Sequence, residues 1–340
     1  IYDAPRCTYR KAKLATKTHQ PSIPLTEIEQ SAFCRTEDQL PAKSLAEEQE
    51  VNVRWQDIPS EYLHCSVEEL DQRIGTAKRT LGKSVTILGH HYQREEIIKY
   101  ADFQGDSFLL SEEAVSLPEA ECIVFCGVHF MAETACILSA SNQRVILPNI
   151  TAGCSMADMA PMEDVDDAWE DLESVLGSRG GITPITYMNS IAGIKALCGR
   201  NNGAVCTSSN ADKVMDWGFQ QSDRVLFLPD QHLGRNTGLK MGITLDKMVV
   251  WDPFKAMGGN TPEQLANAKL VLWKGHCSVH TRFSAGQIHA ARERYPDIKV
   301  IAHPECPMET VDAADFVGST ELIRSMINDA PAGSQWAVGT

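Results

Sequence analysis

The sequence predicts an α/β protein built from three small parallel β-sheets. From residue 84 onward, short β-branched runs alternate with helical patterns, which is typical of βα units with parallel strands. The runs fall into three successive groups of similar size, an internal triplication of architecture. Seven of them end on reactive side chains, and parallel sheets bind ligands at the carboxyl ends of their strands. The pattern therefore predicts one shared cavity, and an enzyme.

Residues 1–83 form an N-terminal extension in this prediction. The segment to His19 is basic, whereas 27–50 is acidic with few large apolar groups, so we expect partial disorder there. A helix is predicted to begin after Ser66, because Ser66-Val-Glu-Glu69 has the pattern of a capping box. Gly82 is a typical helix stop.

Three groups of predicted strands define the domains that follow. The predicted domains are, in chain order, 84–152, 153–268 and 269–340. The strands lie at 84–90, 122–127 and 143–149 in the first group, at 182–189, 204–208 and 224–229 in the second, and at 269–275, 299–304, 314–318 and 336–338 in the third. Related by a pseudo-threefold axis, three such sheets would point their strand ends at one centre. A single large doubly wound sheet and two lobes of the periplasmic-binding type remain alternatives on this pattern alone.

Size, charge and cysteine content exclude several classes of protein. The 340 residues, 43% of them hydrophobic, suffice for two or three packed cores. The sequence contains no stretch of 18 apolar residues, so it predicts no membrane span. A formal net charge of −14 argues against non-specific nucleic-acid binding. Eleven cysteines, with no apolar signal segment in the first 24 residues, predict a reducing, cytoplasmic environment with free or metal-bound thiols.

Two cysteines, Cys154 and Cys277, differ from the others. Each follows a predicted strand through a glycine in a polar setting, where thiolate ligands and nucleophiles occur. The sequence has no Cys-x-x-Cys pair, so a metal site would have to join cysteines that are distant along the chain. Several others lie inside apolar runs, where cysteines are usually inert: Cys122, Cys126, Cys136 and Cys206.

Acid–base groups follow other predicted strands. His90 and Tyr92 stand where the first strand gives way to a helix, and His303-Pro-Glu305 places an imidazole and a carboxylate at another strand end. Such groups suit proton transfer and the binding of carboxylates. His276, Cys277 and His280 could alternatively form a zinc site.

Small polar side chains lie at the remaining junctions. Tyr187 and Asn189 alternate along a predicted strand and would point to one face. Hydroxyls beside free N–H groups can bind phosphate or carboxylate, although each alone is more often a helix cap; these are Ser107, Ser208, Ser319 and Thr320. Neither a Walker A loop nor G-x-G-x-x-G occurs. Judged alone, residues 230–236 are predicted to be an ordinary loop, in which a surface position for Arg235 is favoured over a contact with an anion.

Taken together and in order, these motifs resemble the quinolinate synthase (NadA) family. The resemblance covers about 84–340 and rests on these strings: Gly89-His-His-Tyr-Gln93, Gly105-Asp-Ser107, Cys154-Ser-Met-Ala-Asp158, Tyr187-Met-Asn189, Cys206-Thr-Ser-Ser-Asn210, Pro229-Asp-Gln-His-Leu-Gly-Arg-Asn236, Trp273-Lys-Gly-His-Cys-Ser-Val-His280, His303-Pro-Glu-Cys306 and Gly318-Ser-Thr320. It implies three Rossmann-like αβα domains around a central active-site cavity. It also implies condensation of iminoaspartate with dihydroxyacetone phosphate to quinolinate, phosphate and water in NAD biosynthesis.

The resemblance further implies a cofactor, partners and residue roles. The cofactor is an oxygen-sensitive [4Fe–4S] cluster held by three cysteines, of which Cys154 and Cys277 match two. No residue matches the third, so we expect the third domain to be C-terminally incomplete. Tyr92 and Glu305 are the expected proton-transfer groups, with His90 and His303 holding carboxylates. The expected substrate-binding residues are His90, Ser107, Tyr187, Asn189, Ser208, His280, His303, Glu305, Ser319 and Thr320.

Partners and alternatives complete the prediction. The expected small-molecule partners are iminoaspartate and dihydroxyacetone phosphate. Because iminoaspartate is unstable, we also expect a transient contact with the enzyme that produces it. We expect no nucleic-acid or membrane partner. A non-catalytic iron–sulfur sensor would need the cysteines alone, and a zinc-dependent hydrolase or aldolase would use His276, Cys277, His280 and Glu305.

Overall fold

A computed structural model describes residues 59–177 and 181–340. The described residues divide into two compact units, Pro59–His64 and the chain from Cys65 to Thr340. Helix α1 (Ser60–Leu63) belongs to the first unit, and all later helices and strands belong to the second. The expectation for residues 1–50 falls outside the described residues. None of the helices in the described part combines the length and the apolar character that a bilayer crossing requires.

Helix α2 (Val67–Leu81) begins and ends where the sequence predicts. The Glu69 N–H donates to Ser66 Oγ (3.2 Å), and the Ser66 N–H donates to Glu69 Oε2 (2.9 Å). This reciprocal pair satisfies two N–H groups that have no partner within the helix. Gly82 follows with a φ of +54°, a conformation that favours glycine.

The first sheet has four parallel strands in the order β2-β1-β3-β4. Its elements in chain order are β1 (Val85–His90), α3 (Glu95–Ile98), β2 (Phe103–Gly105), α4 (Ser107–Val115), β3 (Cys122–Cys126), α5 (His129–Leu138) and β4 (Arg144–Ile146). Leu88, Ile123 and Phe125 are fully buried beneath helix α4, whose Leu110 completes the core. Strand β2 was not predicted, since three residues with one buried position give too short a pattern.

The second sheet has five parallel strands in the order β6-β5-β7-β9-β8. Its elements are α6 (Ser155–Asp158), α7 (Met162–Leu176), β5 (Thr183–Tyr187), α8 (Ala192–Arg200), β6 (Ala204–Cys206), α9 (Ala211–Gln221), β7 (Val225–Leu228), α10 (Gln231–Lys240), β8 (Met248–Trp251), α11 (Pro262–Asn267) and β9 (Leu270–Trp273). Every residue of β5, β7 and β9 is buried, as expected for central strands covered by helices on both faces.

Placing the strand 269–275 in the third group is wrong. Strand β9 inserts between β7 and β8, with Leu270 opposite both Val225 and Met248. The physical reason is burial, because the run Leu-Val-Leu-Trp is apolar on both faces and needs a central position. Strand β8 was not predicted either. A domain boundary between 268 and 269 therefore falls inside this sheet.

The third sheet has three parallel strands in the order β11-β10-β12. Its elements are α12 (Ala285–Arg294), β10 (Lys299–Ala302), α13 (Met308–Ala313), β11 (Phe316–Val317), α14 (Thr320–Asn328) and β12 (Trp336–Gly339). With this sheet, the predicted fold class of three parallel α/β sheets is confirmed for the described residues. The architecture matches Rossmann-like αβα units, and it brings reactive residues to the carboxyl ends of β5, β7, β9 and β10.

Candidate active site

Glu305 lies just beyond β10 between two histidines. It is 2% exposed, with Oε2 at 3.1 Å from His280 Nδ1 and Oε1 at 3.5 Å from His303 Nδ1. The two imidazole rings stack with centroids 4.5 Å apart and planes 14° apart. His280 comes from the segment after β9, so the carboxylate joins the ends of the second and third sheets.

The two histidines differ in charge. Burial opposes protonation of His280, but Cys277 and Glu305 outweigh it and raise its pKa to about 10. Burial lowers the pKa of His303 to about 4, against the pull of Glu305. Burial also disfavours the Glu305 carboxylate, yet the positive charge that either imidazole carries when protonated, together with hydrogen bonds from His280 and Tyr187, lowers its pKa. Glu305 and His280 are thus an ion pair, while His303 is neutral.

The tautomer of His303 follows from its backbone contact. The Glu305 N–H points at His303 Nδ1 at 3.3 Å, so this nitrogen accepts a hydrogen bond. In the neutral ring the proton must then sit on Nε2. His303 consequently offers an N–H donor on its far side.

Tyr187, the last residue of β5, completes the surroundings of Glu305. It is buried, and its hydroxyl lies next to Glu305 and Ser208. Burial, and then the charge of Glu305, raises its pKa well above the usual value. The phenol is therefore a neutral donor toward the carboxylate.

Cys154 and Cys277 converge on this centre from two loops. The serines that follow them, Ser155 and Ser278, lie with their Oγ atoms 3.4 Å apart. Burial raises the pKa of Cys154 to about 11; the N–H groups of the α6 turn oppose this shift, and Cys277 and Glu305 add to it. Cys154 also packs against the cores of both the first and the second sheet.

The donor set fits a thiolate-bound metal or cluster. Cys277 Sγ, a His280 nitrogen and a Glu305 oxygen all lie within 4.8 Å of one another, with Cys154 beside them. Soft thiolate donors of this kind select iron–sulfur clusters, zinc or copper. A bound cation would also stabilise the deprotonated thiol that burial now disfavours. His276 does not join the group, so the predicted zinc set of His276, Cys277 and His280 is not assembled here as a unit.

Asp230 is a site residue that the sequence reasoning missed. Residues 231–240 form α10, and predicting 230–236 as an ordinary loop is therefore wrong. Asp230 is fully buried, and its two oxygens accept the Leu233 N–H (2.7 Å) and the Cys277 N–H (3.2 Å). Burial, and then the charge of Glu305, raises its pKa. An aspartate at a strand-to-helix junction is an N-cap signal that could have identified it.

His90 and Tyr92 form a separate pair at the end of β1. Their ring centroids lie 3.9 Å apart, and Tyr92 is 55% exposed. Burial, together with the neighbouring His91, lowers the pKa of His90 to about 3. The pKa of Tyr92 is raised because protein atoms displace water around its hydroxyl and because Cys154 is near. The pair therefore approaches the cysteine side of the centre.

The remaining predicted residues, Ser107, Asn189, Ser319 and Thr320, each follow a strand of one of the three sheets. Asn189 lies beyond β5, which ends at Tyr187, so the predicted strand alternation is absent. Asp106, rather than Ser107, caps α4, and Ser319 caps α14 by accepting the Leu322 N–H at 3.4 Å. In the described ranges, no hydrogen bond joins Glu305 to the predicted residues Ser107, Asn189, Ser319 and Thr320.

Glu305 is a buried, ionised carboxylate between one charged and one neutral imidazole, an arrangement suited to acid–base catalysis. Because it lies at the carboxyl ends of parallel strands, where α/β enzymes bind their substrates, the fold and the site define an α/β enzyme. The family model described as "Quinolinate synthetase A protein" (NadA) matches residues 72–340. The chain therefore belongs to the NadA family.

Curated relatives agree with this assignment. Quinolinate synthase from Corynebacterium glutamicum is 58% identical over 287 residues, which cover 84% of this chain and 73% of the relative. That from Herpetosiphon aurantiacus is 54% identical over 282 residues, or 82% and 75% of the two chains. That from Bacillus subtilis is 51% identical over 287 residues, or 83% and 76%.

Proposed function

We propose that the protein is a quinolinate synthase that condenses iminoaspartate with dihydroxyacetone phosphate to give quinolinate, phosphate and water. Membership of the NadA family supports the activity. The observation that carries the chemistry is Glu305, ionised and buried between His280 and His303. The reaction needs proton transfers at carbon, nitrogen and oxygen, and a water-shielded carboxylate is suited to them.

Glu305 is the proposed proton acceptor and donor. The charged His280 would hold a substrate carboxylate, and the Nε2–H of the neutral His303 would orient a second oxygen. The Tyr187 hydroxyl, which stays protonated, would donate a hydrogen bond that holds the substrate next to Glu305. Ser208 lies beside Tyr187 and would extend this donor surface.

The outer residues are proposed to bind and enclose the substrates. Their hydroxyl and amide groups can hold phosphate and carboxylate oxygens without a buried lysine or arginine. Tyr92 and His90 approach from the first sheet. Tyr92 would transfer a proton, and His90 would hold a carboxylate. The residues in question are His90, Tyr92, Ser107, Asn189, Ser319 and Thr320.

A [4Fe–4S] cluster is the proposed cofactor, with Cys154 and Cys277 among its ligands. When bound, it would supply Lewis-acid chemistry toward a hydroxyl or carboxylate of the substrate. Such clusters are oxygen-sensitive, and the nine described cysteines are all free thiols, which favours a reducing, cytoplasmic location. Because iminoaspartate is unstable, we also propose transient contact with the enzyme that produces it.

A zinc-dependent hydrolase or aldolase is the second candidate, since Cys277, His280 and Glu305 are close enough to share one ion. Metal and sulfide analysis of the anaerobically purified full-length protein separates the two. Iron and acid-labile sulfide together with quinolinate formation support the proposal, and stoichiometric zinc without sulfide contradicts it.

Cys154→Ala is the matched test of the cysteine assignment. We expect it to lose cluster absorbance and quinolinate formation together. Cys136→Ala is the control, because Cys136 is exposed on α5. Equal iron content and turnover in Cys154→Ala and the wild type would remove Cys154 from the ligand set.

A further inference from the structure

Asn236 ties α10 to the segment that carries Glu305. Its Nδ2 donates to the carbonyl oxygens of Pro304 (2.8 Å) and Cys306 (2.9 Å), the residues on either side of Glu305. The side chain is 8% exposed, so water does not compete for these bonds. Because both partners are carbonyls, only the NH₂ group can face them. One amide thus fixes the backbone before and after the carboxylate.

The oxygen of the same amide, in contrast to its nitrogen, accepts no hydrogen bond from the described residues. Asn236 Oδ1 is buried and has no hydrogen-bond partner in the part of the chain that the structure describes. A buried acceptor without a partner is costly, and an apolar side chain of similar size would avoid that cost. The asparagine is therefore explained by its two donors and not by packing.

The same helix also holds the Cys277 segment. Its N-cap, Asp230, accepts the Cys277 N–H at 3.2 Å, and the Gln231 N–H donates to the Gly275 carbonyl at 2.9 Å. The segment before His280 and the segment around Glu305 are consequently both attached to α10 or its N-cap by hydrogen bonds. Through these contacts the helix sets how far the carboxylate lies from the cysteine.

We propose that Asn236 is a positioning residue for the reaction, acting through the backbone on both sides of Glu305. This inference rests on the proposed function of Glu305 in proton transfer. An error of about 1 Å in the position of a reacting group can cost about a hundredfold in rate. Loss of the two donors should therefore lower kcat more than it changes substrate binding.

The test compares Asn236→Leu and Asn236→Ala with Thr237→Val in the full-length, anaerobically prepared enzyme. Thr237 is the next residue of α10 and is also buried, and in the described part of the chain its side chain makes no hydrogen bond to the Glu305 segment, where Asn236 supplies both. Quinolinate formation gives kcat and KM, and circular dichroism gives the melting temperature. We expect kcat to fall at least tenfold in both Asn236 variants with KM within threefold of the wild type. For Thr237→Val, both kcat and KM should stay within twofold of the wild-type values.

A double-substitution measurement separates positioning from a general structural role. Adding Asn236→Leu to Glu305→Gln should lower the residual rate by less than twofold, because the group that Asn236 positions is already disabled. The same fold-loss in both backgrounds would overturn the inference, as would a wild-type kcat in Asn236→Leu. A wild-type enzyme that makes no quinolinate would refute the proposed function instead, so the two failures are distinguishable.

Discussion

His280 and His303 stack at 4.5 Å, yet their pKa values move in opposite directions, to about 10 and about 4. The shared carboxylate of Glu305 favours a proton on either ring, and burial opposes it on both. Only His280 also has the Cys277 thiol as a neighbour, and His280 takes the proton. The charge of the pair is therefore asymmetric, with its positive end toward the cysteines.

The first prediction concerns this asymmetry. In iron-free protein labelled with ¹⁵N-histidine, NMR should show His280 as imidazolium throughout pH 6 to 8. His303 should remain a neutral Nε2–H tautomer over the same range. The variant His303→Gln assigns the signals. A His280 resonance that titrates near 6.5 would contradict the ion pair with Glu305.

Glu305→Gln is predicted to lower kcat by about 10² to 10⁴-fold, the usual contribution of a positioned acid–base group. The amide keeps the size of the side chain but cannot accept a proton at neutral pH. Glu309→Gln is a suitable control, because Glu309 lies on α13 nearby and is exposed. Steady-state quinolinate production measures both. A similar rate in the two variants would exclude Glu305 from catalysis.

Lys195 is predicted to make stability depend on pH. Burial lowers its pKa to about 8, with Glu133 opposing, while Nζ donates to Thr134 Oγ1 (2.9 Å) and to the Ser190 carbonyl (2.7 Å). Between pH 8 and about 10.5 the unfolded chain binds a proton that the folded chain has released. The contribution of Lys195 to the free energy of unfolding should therefore increase as the pH rises from 8 to about 10.5.

Urea unfolding at pH 7.5 and 9.5 checks the Lys195 prediction. The comparison is between the wild type and Lys195→Met, which fills similar space without a titrating group. The difference in stability between the two proteins should shift in favour of the wild type at the higher pH. A difference that is constant with pH would show that Lys195 keeps an ordinary pKa.

Leu272→Ala is predicted to destabilise the protein by about 2–5 kcal/mol, because Leu272 is fully buried at the centre of the second sheet. Leu245→Ala, at a residue that is 49% exposed, should cost far less. Urea unfolding monitored by circular dichroism measures both. Equal losses would contradict the central position of β9.

Candidate residues could be selected from local sequence, whereas their neighbours in space could not. Cys154 and Cys277 were selected because a thiol after a glycine at a strand end is a local pattern, and their roles remain predictions. The position of β9 between β7 and β8 was missed, since strand order depends on pairings between segments far apart along the chain. Asn236 could not have been found locally either, because its partners lie 68 and 70 residues further on.

The serines at strand-to-helix junctions show a second limit of prediction from sequence. At a strand-to-helix junction the same serine can cap a helix or bind an anion, and its sequence context is similar in both cases. Ser319 is the N-cap of α14, whereas the N-cap of α4 is Asp106 and not Ser107. Only the donor geometry distinguishes these uses, and it depends on where each helix turns.

Because β9 pairs within the second sheet, Cys277 and His280 follow a strand of that sheet, whereas His303 and Glu305 follow β10 of the third. The ion pair between His280 and Glu305 is therefore a contact between sheets, and its geometry depends on how the second and third sheets pack against each other.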